Sequence, residues 1–270
     1  MFEPVKAAFD KQSGIFDKYE ESNEVLKWMR TVIRQHLLRH LNPGSRILEL
    51  NAGTGLDTVF LSKKGFNIHA TDISEGMLSK LDIKVNKAGL NDKVSFEVLS
   101  FTELDQLKIK NSDYIFSNFG GLNCIEDLSM VTKHLKRVLN LGGKITFVIM
   151  PPVSPWEIML AVKGKFKPAF RRLHKGGALA NIEGIKFNTY YHSLRTLKHA
   201  LGTEFKLIEI QGLASLSPPP YVKDFPLRHP VLYKILCRAD EIFSHTFPFD
   251  RCADHYIATF ELKREQPKEI

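Results

Sequence analysis

The stretch Ile47–Thr58, ILELNAGTGLDT, decides the fold. Ile47, Leu48 and Leu50 form a short apolar run, the mark of a strand buried on both faces. A turn follows, in which Gly53 and Gly55 let the backbone reverse and approach a ligand with no Cβ in the way. Thr54 and Asp57 have the spacing of a helix cap and start the next element. Strand, glycine turn and helix in that order hold nucleotides. Two residues bear on which nucleotide: the acid Glu49 at the strand's end, and Asn51, where a glycine is expected.

The same alternation runs outward from this turn. RILEL (46–50), NIHAT (67–71), VSFEVL (94–99), DYIFSN (113–118) and GKITFVIM (143–150) read as strands. Helices are expected at 55–64, closed by Gly65, at 75–88 and at 126–139. Short apolar strands alternating with helices predict a parallel sheet covered on both faces. Upstream, Leu26, Met29, Ile33, Leu37 and Leu41 share one face of a helix over 14–41, which Asn42-Pro43-Gly44 stops. After Met150 the pattern breaks at PPVSPW. A helical basic insertion over 156–175 and an added strand at 185–192 are expected. The core then resumes with a helix at 193–201 and a strand at 204–211. SLSPPPYVKDFPLRHP leads to a helix near 230–245, and HYIATFEL (255–262) is the last strand. REQPKEI (264–270) reads as a frayed tail.

Composition excludes several classes. At 43% hydrophobic and 25% charged residues the 270-residue chain has an ordinary globular make-up. Three cysteines, none in a CxxC pair, speak against a disulfide framework or a structural zinc, and no metal is expected. The N-terminus lacks the apolar core of a signal peptide, and no run approaches the length needed to span a bilayer, so a cytoplasmic location is expected. The net charge of +8 is uneven. Between Pro151 and His192 seven lysines and arginines stand against Glu157 and Glu183. Such a patch is either a solvated helix face or an attractor of an anionic substrate, nucleic acid or membrane surface.

A dinucleotide fold would place a third glycine where Thr58 stands, and Glu49 would repel a pyrophosphate while favouring a cation. Asp72, at the end of the second strand, can accept hydrogen bonds from both ribose hydroxyls, or it serves a helix start beside Ser74. Read as a ribose ligand, it asks for a nucleoside with a cationic portion and no phosphates. S-adenosylmethionine meets that description.

Here the segment Arg46–Met150 resembles the class I S-adenosylmethionine-dependent methyltransferases of the small-molecule kind. The family's first motif is matched by Glu49, Gly53 and Gly55 around Leu50, Ala52 and Thr54, with Asn51 as the departure. Asn tolerates positive φ, so it can hold the turn, or its carbonyl can meet the ligand's ammonium. The resemblance implies a ribose acid at Asp72 followed by Ile73, Ser74 and Met77. It further implies adenine contacts at Ser100 and Phe101, and a methionine end lined by Ser117, Asn118 and Phe119. The GGK at 142–144 is also typical. The fold implied is a Rossmann-like α/β domain with a seven-stranded, mostly parallel sheet. Residues 1–42 would form an N-terminal helical lid, 43–150 the cofactor-binding core, 151–192 and 212–254 cap insertions after strands five and six, and 193–211 and 255–263 the return of the core. Tyr19 would close on the methionine end.

The first motif fixes no catalytic residue, because in-line methyl transfer needs mainly positioning and exclusion of water. NFGGLNCIED (118–127) faces the acceptor or is a plain strand-to-helix turn; Asn123 and His192 are the candidates it and the insertion offer. Cys124 reads as a small buried residue and His255 as structural. The expected activity is methyl transfer to a small apolar or aromatic acceptor under the cap. The alternatives are an RNA methyltransferase using the basic 163–175 segment, which the modest charge disfavours, and a non-catalytic S-adenosylmethionine-binding protein.

Overall fold

A computed structural model describes residues 2–264; nearly all of the expected frayed tail lies outside them. Three helices come first: α1 (Glu3–Gln12), α2 (Phe16–Ser22) and α3 (Glu24–His40). Then β1 (Arg46–Leu50), α4 (Leu56–Lys63), β2 (Asn67–Asp72), α5 (Glu75–Ala88), β3 (Val94–Val98), β4 (Ser112–Ser117), α6 (Ser129–Val138) and β5 (Leu139–Ile149) alternate. An insert follows, with α7 (Pro155–Val162), α8 (Phe166–Ala169), β6 (Ala178–Ile182) and β7 (Ile185–Thr189). The core returns with α9 (Leu194–Leu201) and β8 (Phe205–Leu213). A second insert carries α10 (Phe225–Arg228) and α11 (Pro230–Phe243), and β9 (His255–Leu262) closes the chain.

The main sheet has seven strands in the order β3-β2-β1-β4-β5-β9-β8. All neighbours through β5 are parallel, and β9 runs antiparallel between β5 and β8. This is the Rossmann-like α/β sheet expected. Its strands serve two cores at once. On β1, Ile47 joins the cluster under α3, with Met29, Ile33 and Leu37, while Leu48 and Leu50 join the cluster under α6 and α9. That double burial is why the strands read as continuous apolar runs. The chain leaves β1 for β2 on one side, and β4 lies on the other. The crevice at that switch, outside the carboxyl ends of the strands, is where such sheets bind ligands. Both inserts start from that end, since β8 is parallel to β5.

Three local expectations are corrected, and one helix is added. The helix over 14–41 is two helices: Asn23 is extended (φ −112°, ψ 101°), and its side chain accepts from the N–H groups of Val25 and Leu26 as the cap of α3. A further helix, α1, precedes them, with Pro4 at its start. The helix over 156–175 breaks into α7, α8 and a 3₁₀ turn at Arg171–Leu173, because Gly164 takes φ +71°. The strand at 185–192 is not added to the main sheet. It is β7, half of a hairpin with β6, turned by Glu183 and Gly184 at φ +49° and +84°.

Candidate functional site

A cleft of about 950 Å³, including its open mouth, lies at the switch point. Its floor is the glycine turn and the ends of β1, β2 and β4. One wall comes from Ile73, Met77, Leu99 and Phe101, and the roof from Phe2, Val5 and Phe9 of the N-terminal segment with Phe16 of α2. The expected cofactor residues line it, except Tyr19, Gly55, Ser74 and Ser117.

Asn51 takes φ +48°, so the side chain stands where the backbone calls for a left-handed residue. Its Oδ1 accepts from Ser117 Oγ at 2.5 Å and its Nδ2 donates to the Asn118 carbonyl at 3.0 Å. The amide therefore fastens the turn to the end of β4. That bond uses one of the two lone pairs on the Asn51 carbonyl, and the residue still lines the cleft. Gly53 (φ +58°) has nothing within 4 Å of where a Cβ would stand, which leaves open space against the turn. Gly55 (φ +80°) is needed for another reason: a Cβ there would come 2.7 Å from Leu81 on α5. Gly55 is also the cap residue of α4. Thr54 is not the cap; its hydroxyl donates to Asp17 of α2 at 2.7 Å. Thr58, in place of the third glycine, donates to Glu49 Oε2 at 2.6 Å.

Asp72 accepts one backbone bond on each oxygen, from Gly53 N–H at 2.8 Å and Ser74 N–H at 2.9 Å. Each oxygen keeps a lone pair, and burial raises the carboxyl above its ordinary range. Ser74 itself caps α5, accepting from Met77 N–H. Glu49 is also buried, and burial with the nearby Asp57 pushes it up to about 8. Asp57 behaves oppositely: against the cost of burial, Arg30 and Arg34 hold it below the usual carboxylate range. Arg30 crosses the cleft wall, paired with Glu20 at 2.8 Å and with Asp57, its guanidinium 4.6 Å over the Phe119 ring. With Glu49 neutral, Glu20 and Asp57 balance Arg30 and Arg34. Ionised, Glu49 leaves one negative charge facing the cleft.

The site thus has a buried acid at the end of β2, an open glycine turn and a second buried acid, Glu49, at the end of β1. Residues 47–143 match the sequence model of a methyltransferase domain. The demethylmenaquinone methyltransferase of Bacteroides fragilis is 30% identical over 60% of this chain and 67% of its own length. The chain belongs to the S-adenosylmethionine-dependent methyltransferases. An uncharacterized protein of Methanocaldococcus jannaschii, MJ1252, is 27% identical over 80% of this chain and 81% of its own. A solved S-adenosylmethionine-dependent methyltransferase of Methanosarcina mazei superposes with TM-score 0.59 at 17% identity, covering 85% of this chain and 98% of that one. The chain spans 60–67% of the length of the demethylmenaquinone methyltransferases it matches.

In this methyltransferase the two acceptor-side candidates are committed to the backbone. Asn123 is buried; its Nδ2 donates to the Met150 and Tyr190 carbonyls at 3.0 and 2.5 Å, and its Oδ1 accepts from Met150 N–H. It clamps the first insert to the loop after β4. His192 is buried outside the cleft lining, with Nε2 2.9 Å from the Ile125 carbonyl, and burial lowers its pKa. Tyr19 is 42% exposed; α2 presents Phe16 to the cleft instead. Cys124 lines the cleft, but burial pushes its thiol up to about 12, which keeps it protonated. Arg171 and Arg172 are not available to an acidic acceptor. Both hold the buried Glu157, and Arg172 also holds Asp254 at 2.7 Å.

Arg30 is the cleft residue that sequence reasoning passed over. Its signal was a charge four residues after Leu26 on the apolar stripe of α3. Next to the cleft, outside its lining, lies the buried pair Asp254 and His255. His255 Nδ1 lies 2.9 Å from Asp254 Oδ2, and against its burial Asp254 is held at about 2 by His255 and Arg172. Nε2 has no hydrogen-bond partner among the described residues and faces Gly120, 3.4 Å from the position of a Cβ there. The ring meets Phe119, a cleft residue, edge-on at 6.0 Å. Elsewhere, His36, His40 and Glu209 stand close enough to share an ion. Yet His36 is bonded through both ring nitrogens to Gln211 and Thr259, and Arg39 already supplies Glu209 with a cation.

Proposed function

We propose that the chain methylates a small apolar acceptor of the quinol or phenol type. The observation that carries this reading is the cleft's roof: Phe2, Val5, Phe9 and Phe16 on one side and Phe119 and Cys124 on the other. Few polar groups there could orient a polar acceptor. The demethylmenaquinone methyltransferases among the relatives support an aromatic, quinone-type ring.

S-adenosylmethionine supplies an electrophilic methyl on a sulfonium. On this reading Asp72 accepts from its ribose hydroxyls, while Ile73, Met77, Leu99, Ser100 and Phe101 enclose its adenine. The backbone at Ala52, Gly53 and Thr54 lies against the methionine portion. Glu49 meets the ammonium, and the N–H groups of Arg30 not held by Glu20 and Asp57 meet the carboxylate. Asn118 and Phe119 border the transferred methyl. Bound there, S-adenosylmethionine would supply a methyl, with sulfur as leaving group, to an acceptor carbon or oxygen held in line with it; the chain's own part would be to position the acceptor, exclude water and take the acceptor's proton. The base this reading assigns is His255, which lies outside the cleft lining and meets it at Phe119. Asp254 fixes its tautomer, with the proton on Nδ1 and the lone pair on Nε2.

Incubation with S-adenosylmethionine and a short-chain demethylmenaquinol tests the reading, with mass spectrometry of both products. S-adenosylhomocysteine and a methylated quinol are expected, and His255→Asn should lower kcat by about 10²–10⁴ with cofactor affinity unchanged. Turnover on total RNA with none on any quinol or phenol would overturn it in favour of the basic segment's nucleic-acid role.

A further inference from the structure

The first and second inserts leave an apolar and cationic face without a partner. On α7 and just beyond it, Met159, Val162 and Phe166 are 60%, 89% and 63% exposed. On α11, Val231, Ile235 and Ile242 are exposed and, with Arg238, fall within an arc of about 60° at 3.6 residues per turn. The two inserts meet at Trp156, whose ring lies edge-on to Phe225 at 5.8 Å and whose Nε1 donates to the Leu216 carbonyl at 3.1 Å.

Exposed positive charge outweighs negative on this unit, where Glu183 at the β6–β7 turn is the exposed acid without an ion-pair partner among the described residues. Lys163, Lys165, Lys167 and Lys175 are exposed, and none has an ion-pair partner among the described residues. The acid of the same segment, Glu157, is buried and held by Arg171 and Arg172. On the second insert Asp224 and Glu241 are paired with Arg228 and Arg238. A solvated helix face would not expose Val162 and Phe166 between lysines, and a phosphate backbone alone would leave these side chains in water. Exposed aliphatic and aromatic side chains interleaved with lysines fit an interface that is apolar below and anionic above.

We propose that this face docks on the surface of a bilayer containing anionic phospholipid. Docking is peripheral, because no helix among the described residues is long and apolar enough to cross a membrane. The lysines meet lipid phosphates while Val162, Phe166, Val231 and Ile235 enter the headgroup boundary. The inserts flank the carboxyl end of the sheet, so docking would bring the cleft to an acceptor dissolved in lipid. That benefit rests on the apolar-acceptor reading; the docking itself does not.

The test is co-sedimentation of the full chain with vesicles of phosphatidylglycerol and phosphatidylcholine, equimolar, or of phosphatidylcholine alone, at low and high salt. Binding to the anionic vesicles is expected, at least about tenfold stronger than to neutral ones and weakened by salt. Val162→Glu/Val231→Glu and Lys163→Glu/Lys165→Glu/Lys167→Glu should each lose that binding while retaining S-adenosylhomocysteine binding, which reports an intact fold. No sedimentation with anionic vesicles overturns the proposal. So does binding that survives both variants, or a dimer that the apolar variant dissociates in a chain that ignores vesicles. Vesicle binding without quinol turnover would uphold this face and sink only the acceptor.

Discussion

Glu49 and Asn51 sit two residues apart and respond to opposite tests. Glu49 is raised to about 8 by burial and by Asp57, so at neutral pH the empty cleft holds it mostly protonated. On the proposed site an ammonium beside it favours the ionised form, and binding then releases a proton. S-adenosylmethionine affinity should therefore rise from about pH 6 to 7.5, before the ligand's own α-amino group, near 8, begins to lose its charge. Calorimetry in two buffers of different ionisation enthalpy would show the released proton, and Glu49→Gln should flatten the pH dependence. A wild-type affinity independent of pH would remove Glu49 from the ammonium's contact. Asn51 is a question of space. A Cβ on Gly121 would overlap the Asn51 amide, so the asparagine in the turn requires the glycine in the loop after β4. Gly121→Ala should cost stability in the natural chain and much less beside Asn51→Gly, with a coupling of about 0.5–3 kcal/mol in denaturant unfolding. Additive effects would mean that the two loops do not share this contact.

At the scale of elements, what could be read in advance followed from periodicity and what could not followed from packing. β1, β4 and β5 were legible because burial on both faces writes itself as apolar runs, β3 at the sheet's edge because Val94, Phe96 and Val98 alternate with polar residues, and β9 by its buried Tyr256, Ile257, Ala258 and Phe260. The place of Asp72 and the glycine turn in the cleft was legible because a sharp turn after a buried strand restricts residue type. The break of the N-terminal helix at Asn23 was not, because the apolar stripe from Leu26 to Leu41 carried the helix past a residue that favours caps over helix interiors. The roles of Asn123, Arg171 and Arg172 were invisible for a similar reason. Polar residues near a cleft look functional in sequence, and only tertiary structure shows that Met150, Tyr190, Glu157 and Asp254 already use them. Arg30 is the converse. A buried cation on an apolar stripe looks like an anomaly until Glu20, Asp57 and Phe119 surround it.

Across the whole molecule, the N-terminal segment ties together parts that meet only around the cleft. Asp10 on α1 accepts from Ser74 Oγ at 2.6 Å and Gly76 N–H at 2.9 Å, at the start of α5. Lys6 pairs with Glu75, and Lys11 donates to the Glu183 carbonyl in the β6–β7 turn. Asp17 holds both Thr54 of the glycine turn and Lys84 of α5. These are exposed or half-buried polar contacts, each worth little alone. Phe2, Val5 and Phe9, by contrast, are half-buried: Phe2 packs on the core under α6 and Phe9 meets Phe187 of β7 at 6.2 Å, and the surface they leave uncovered faces the cleft. Occupancy should therefore order the segment and stabilise the fold together. S-adenosylhomocysteine at 100 times its Kd contributes about 2.7 kcal/mol, which for a chain of this size raises Tm by roughly 5–10 °C. The same ligand should slow proteolytic cleavage within residues 2–16, and Asp10→Ala should remove most of that protection while the Tm shift persists. Cleavage at the same rate with and without ligand would show that α1 does not close on the cofactor, and the roof would then have to be assigned to the acceptor alone.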